Sequence, residues 1–221
     1  MSFPFADGVP PLPESGPRAE AARLADAARR IIDRIARAAL DEEEYAREAA
    51  ELEAMADRLE ATGHEREYWG FAEAANAGDT HAFFDRSPII GVANPIAPPV
   101  TLWLDGEIVR GSAVYGTAYE GPPGCVHGGH VAAAFDEVLG FAQSVTGAPG
   151  MTGTLVVKYR SPTPLHKDLA FEGRVDRVEG RKIFTHGTCH ADGVLTAEAE
   201  GIFITVDFLR FATLMQERRG V

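Results

Sequence analysis

Residues Cys125–Gly140 read CVHGGHVAAAFDEVLG, and this stretch decides the fold. His127, Gly128 and Gly129 precede the apolar run Val131–Phe135, which Asp136 interrupts. The pattern predicts a helix over roughly 128–146 that is apolar on nearly every side, so neighbouring elements must cover most of it. Gly129 and Asp136 lie two helical turns apart on one stripe. Ala132, Ala133 and Gly140 flank that stripe, so an acid sits among very small side chains where a ligand can approach the backbone.

Outward from this helix the chain turns to strand-type runs. Before it stand Val100–Leu104, Glu107–Val114 and Ala113–Tyr119, in a register the sequence leaves open. After it come Gly153–Tyr159, Leu169–Arg177, Lys182–His190 and Leu195–Val206. Asp105-Gly106 and Asp192-Gly193 suit tight hairpin turns, and Glu179-Gly180 punctuates a third. Strands, one buried helix and a meander of strands together predict an α+β fold: a curved antiparallel sheet around a central helix.

The N-terminal part differs. Residues 1–17 are rich in Pro and Gly and read as irregular. Residues 18–62 read as helix, with Leu24, Ala28, Ile31, Ile32, Ile35 and Ala39 on one face. Asp41 followed by Glu44 predicts a capping box opening a second helix, which would bury Tyr45, Ala49, Leu52, Ala56 and Leu59. Both stripes read as packing surfaces. The predicted division is an N-terminal irregular segment and helical extension over 1–87, a main domain over 88–210 and a tail over 211–221.

Composition narrows the function. The chain has 221 residues, 45% hydrophobic and 24% charged, with a formal net charge of -12. That field opposes non-specific binding to nucleic acid or to anionic membranes. No apolar run reaches the length of a membrane span. The first residues lack a signal-peptide pattern, and two cysteines offer no disulfide framework. The expectation is cytoplasmic. His127 with His130, and His186 with His190, lack a third ligand, so no metal site is expected. GxSxG, P-loop and GxGxxG patterns are absent as well.

The chemistry therefore centres on Asp136. A carboxylate in an apolar helix is expected to be buried, with a pKa raised towards that of a general base working near neutral pH. Unpaired N–H groups at the helix start, at Gly128 and Gly129, can stabilise an oxyanion.

The segment HGGHVAAAFDEVLG resembles the phenylacetate-degradation (PaaI) type of hotdog-fold acyl-CoA thioesterases, and within them the THEM-type branch. The resemblance continues through TGTLVVKYRSPTPL, VEGRKIF and AEAEGIFITV, over about residues 88–207. It implies a hotdog fold with an N-terminal helical extension, and hydrolysis of a thioester to a free acid and CoA. Asp136 matches the general base or nucleophile, and Gly128, aided by Gly129, the oxyanion donor. Thr152 matches a positioning hydroxyl supplied across a subunit contact, with Thr154 as its rival, and His127 matches a loop-ordering residue. Lys158, Arg160, Arg181 and Lys182 match the site for the CoA phosphates, and two of the chain's three lysines are among them. No separate cofactor is implied, since CoA is part of the substrate. The implied assembly is a homodimer or a dimer of dimers. A non-catalytic acyl-CoA or lipid binder is the alternative. One departure stands out: Gly121-Pro122-Pro123-Gly124 occupies the place where some relatives carry Asn or Gln.

Overall fold

A computed structural model describes residues 14–63, 84–98, 100–148 and 150–206. The expected tail over 211–221 and most of the expected irregular segment over 1–17 lie outside the described residues. Two helices open the described chain, α1 (Pro17–Arg37) and α2 (Glu42–Glu60). Two strands follow, β1 (Thr101–Asp105) and β2 (Ile108–Val114), then the central helix α3 (Gly128–Ser144). The chain continues with β3 (Gly150–Tyr159), β4 (Asp168–Glu179), β5 (Lys182–Ala191) and β6 (Val194–Thr205).

All neighbouring strands are antiparallel, in the order β1-β2-β4-β5-β6-β3, which leaves β3 at one edge. Helix α3 lies across the inner face. Its Val131, Ala134, Phe135, Val138 and Leu139 pack into one core with Leu102, Val109, Phe171, Ile183, Cys189 and Phe203. Burying each large side chain of this set contributes about 1.5–3 kcal/mol. Paired glycines on β4 and β5 admit the helix: a Cβ on Gly173 would stand 2.7 Å from Cγ1 of Val138, and one on Gly187 would stand 3.1 Å from Cδ2 of Leu139. A sheet wrapped around one helix in this way is the hotdog arrangement.

The turns follow their chemistry. Asp192 and Gly193 both have positive φ, 49° and 78°, as a type I′ hairpin requires. The strand expected over Ala113–Tyr119 is not formed beyond Val114. Thr117–Tyr119 instead makes a 3-10 turn, stabilised when the Thr117 N–H donates to Oδ1 of Asp33 at 2.8 Å.

The N-terminal helices correct the expected stripes. On α1 the docked face is Arg18, Ala22, Ala25, Arg29 and Asp33, while Leu24, Ile31, Ile32 and Ile35 are exposed. The cause is what α1 meets. Its partners are loops with backbone groups to satisfy, not an apolar sheet. Arg18 makes a two-point bond with Asp85, at 2.7 and 2.9 Å, and Arg29 donates to the carbonyls of Val92 and Asn94. The α2 helix has its capping box, Asp41 with Glu44, but no buried residue among those described; Tyr45, Leu52 and Leu59 face outward.

Candidate active site

The start of α3 is fixed by hydrogen bonds from three directions. His127 is the N-cap, and its Nδ1 accepts the Gly129 N–H at 3.0 Å. The His127 N–H donates to Tyr119 O, and the Val126 N–H donates to Thr163 O. The hydroxyl of Tyr159, on β3, donates to the Gly128 carbonyl at 2.7 Å. Of the two glycine amides expected as oxyanion donors, Gly129 is thus taken by the cap. The Gly128 N–H has no partner among the described residues. Nearby, His130 meets the Tyr119 ring edge-on at 4.9 Å, and burial, then the neighbouring His127, lowers its pKa.

Asp136 lies further along α3. In the single chain its side chain is exposed, which corrects the expectation of a buried acid. It projects from the helix towards the edge strand, where the Thr152 hydroxyl donates to its Oδ1 at 2.6 Å. This bond is made within one chain, correcting the expectation that the hydroxyl crosses a subunit contact. The less exposed carboxyl of the pair is the half-buried Glu137, whose pKa is raised by burial, partly lowered by a hydrogen bond from Ser87 and raised by Asp136.

A β-bulge decides between the two threonines. In β3 the register shifts at Gly153, so Thr152 pairs with Phe203 and Thr154 with Ile202. Directly opposed residues share a face of the sheet, and Phe203 belongs to the core while Ile202 points to the other side. The extra residue therefore turns Thr152 inward with Leu155, Val157 and Tyr159, and Thr154 outward. Simple alternation, without the bulge, would set the two threonines on one face.

The four expected phosphate ligands divide. Lys158 and Arg160 stand on the outer face of the sheet, away from α3, and are neutralised by Glu200 and Glu198. They are not brought together with Asp136, because alternation from the inward Tyr159 sends both neighbours outward. Arg181 and Lys182 lie at the β4–β5 turn. Among the described residues Arg181 donates to a neutral carbonyl, Thr205 O, at 3.0 and 3.3 Å. Thr205 pairs with Gly150, so this turn is at the same end of the sheet as Thr152.

Sequence reasoning missed Tyr159 and Ser87. Alternation from Leu155 through Val157 could have placed Tyr159 facing the helix. Nothing local to Ser87 reports its contact fifty positions later in the chain.

The comparisons with known proteins agree with this architecture. A family model described as "Thioesterase superfamily" matches residues 123–198. Acyl-coenzyme A thioesterase THEM4 of Xenopus laevis is 38% identical over 93 residues, covering 40% of this chain and 41% of that protein. The Bos taurus THEM4 is 36% identical over 96 residues, covering 42% of this chain and 38% of that protein. The chain thus spans about two fifths of the length of these curated relatives. A crystal structure of a thioesterase superfamily protein superposes with a TM-score of 0.77 at 34% identity, over 90% of this chain and 100% of that one. With a relative of that identity matched along its whole length around the same central helix and sheet, the chain belongs to the thioesterase superfamily.

Proposed function

We propose that this chain hydrolyses acyl-CoA thioesters to a carboxylic acid and CoA, with Asp136 as general base. The observation that carries the reading is the 2.6 Å bond from Thr152 to Asp136 on a helix face of small side chains. A hydroxyl that donates to Oδ1 leaves Oδ2 to accept a proton from water. That water attacks the thioester carbonyl, the Gly128 N–H holds the oxyanion, and collapse expels the CoA thiolate, which takes up the proton. The THEM4 relatives, named as acyl-coenzyme A thioesterases, support the substrate class.

The two groups cannot serve one carbonyl from one chain. Eight residues of helix separate Gly128 from Asp136 by about 12 Å, and N–H groups at a helix start point away from the residues that follow. Base and donor must each lie about 3 Å from the carbonyl or its water. The site is therefore composite, and the assembly a homodimer. The edge strand supports the same reading, because β3 has one side unpaired among the described strands and exposes Met151, Val156 and Tyr159. Antiparallel pairing of two β3 strands about Leu155–Val156 sets Thr152 across from the partner subunit's Tyr159. Asp136 then approaches the partner subunit's Gly128.

Arg181, with Lys182, is the proposed contact for the CoA phosphates, since its guanidinium bonds no acid in the described structure. The two free thiols, Cys125 and Cys189, suit a reducing cytoplasm. Among the described residues no helix is long and apolar enough to cross a membrane.

The test is Asp136→Asn against a panel from acetyl- to palmitoyl-CoA and aromatic acyl-CoAs, reading thiol release. Turnover should fall about 10²–10⁴-fold while CoA still binds. Hydrolysis at the native rate would remove the assignment.

A further inference from the structure

We infer that Tyr159 is the positioning residue of the oxyanion donor, its hydroxyl fixing the peptide unit that follows the Gly128 amide. The inference rests on the proposed hydrolysis and on Gly128 as donor, and goes beyond them by naming what aims that donor. One peptide unit joins Gly128 to Gly129. Its carbonyl oxygen accepts from the Tyr159 hydroxyl at 2.7 Å, and its N–H donates to Nδ1 of His127 at 3.0 Å. The plane is therefore held at both ends. The free Gly128 N–H belongs to the adjoining peptide unit, separated only by the φ and ψ of Gly128, so the pinned plane restricts its direction.

The same tyrosine explains why the position is bare. A Cβ on Gly128 would stand 3.1 Å from the Tyr159 Oη and 3.2 Å from Cζ, tighter than ordinary contact. A first helical turn otherwise frays. Here a strand side chain clamps it. Tyr159 faces α3 because it pairs with buried Ala197, on the face that also carries Thr152. One strand thus holds Asp136 through Thr152 and Gly128 through Tyr159, so each chain presents the base of one composite site and the donor of the other from the same edge strand.

The test compares Tyr159→Phe, Asp136→Asn and the unaltered chain in steady-state hydrolysis of one acyl-CoA across pH. Phenylalanine keeps the ring and removes only the hydrogen bond. The expected result is a kcat lower by about 10–100-fold, the scale of a small misplacement at a reacting centre, with KM within about two-fold. The acidic limb of the pH profile should stay where it is, because Asp136 and Thr152 are untouched. The melting temperature should also hold. An unchanged kcat, a loss that tracks KM or melting temperature, or a moved acidic limb overturns the inference. If Tyr159→Phe retains full activity while Asp136→Asn is inactive, only the positioning role fails. If Asp136→Asn is fully active, the functional reading fails and this inference with it.

Discussion

Ser87 donates its hydroxyl to Oε1 of Glu137 at 2.8 Å, tying the segment before β1 to the residue beside Asp136. The same Ser87 oxygen accepts the N–H groups of Ile89 and Ile90, at 3.1 and 3.2 Å, so its one hydrogen is committed to the carboxylate. Glu137 is thereby anchored in a half-buried place where its charged form is disfavoured.

Linkage gives this burial a sign. The folded pKa of Glu137 is raised, so its contribution to stability is complete below the ordinary glutamate value of about 4.3 and declines as pH rises through the folded pKa. Glutamine keeps an acceptor for Ser87 and cannot ionise. Glu137→Gln should therefore raise the melting temperature relative to the parent at pH 8, with the gap closing towards pH 4. Scanning fluorimetry across that range measures it, and a gap independent of pH would contradict the account.

The two threonines should separate cleanly. Thr152→Ala removes a hydrogen bond to a carboxylate, a contact worth about 1.5–3 kcal/mol, so kcat should fall roughly 10–100-fold with little change in KM. Thr154→Ala, on the other face of the bulged strand, should behave as the parent. Equal losses from both would mean that the register shift at Gly153 does not govern the site.

The proposed composite site permits complementation. Gly128→Pro deletes the amide donor at the first helical position, where proline suits the backbone, although its Cβ must displace the Tyr159 side chain. The preceding His127, at φ -59° and ψ 130°, already has the backbone that a following proline demands. Homodimers of Gly128→Pro or of Asp136→Asn should each be inactive. Refolded together they should regain hydrolysis, since a mixed dimer contains one site with both groups intact. Continued inactivity of verified mixed dimers would argue for a site within one subunit.

Arg181→Ala combined with Lys182→Ala should raise KM for acyl-CoA about ten-fold or more, on the scale of charge-assisted hydrogen bonds, while kcat changes little. Raising the salt concentration should reproduce the direction in the parent. Reversing Lys158 and Arg160 should have the smaller effect on KM, because Glu200 and Glu198 already hold them. An unchanged KM in the Arg181/Lys182 variant would remove the phosphate contact.

The sequence made the central helix legible because its composition is extreme: a nearly all-apolar segment interrupted by Asp136 admits few environments. The hairpins were legible for a local reason too, since Asp192-Gly193 demands positive φ at both positions. The exposure of Asp136 was not readable, because helical spacing gives a face but not its neighbour, which here is an edge strand. The docked face of α1 was hidden for a related reason. Reading Leu24, Ile31 and Ile35 as the buried stripe assumes an apolar partner, whereas α1 meets loop carbonyls and amides through Arg18, Arg29 and Asp33. Thr152 and Thr154 were inseparable because a bulge has no signal in alternation beyond the glycine that permits it.

That glycine makes the strand a matter of parity. Counting back from Leu155, an unbroken alternation would put position 153 inward and Thr152 outward, so the unpaired residue restores the hydroxyl to Asp136. Excising Gly153 would leave Thr152 on the correct side and simply straighten the strand. Adding a residue between Thr152 and Leu155 in a straightened strand would point the hydroxyl away from its carboxylate. A residue added here should thus be tolerated only where the strand can take it up as a bulge, as it does Gly153 beside Ile204, and otherwise turns the hydroxyl outward.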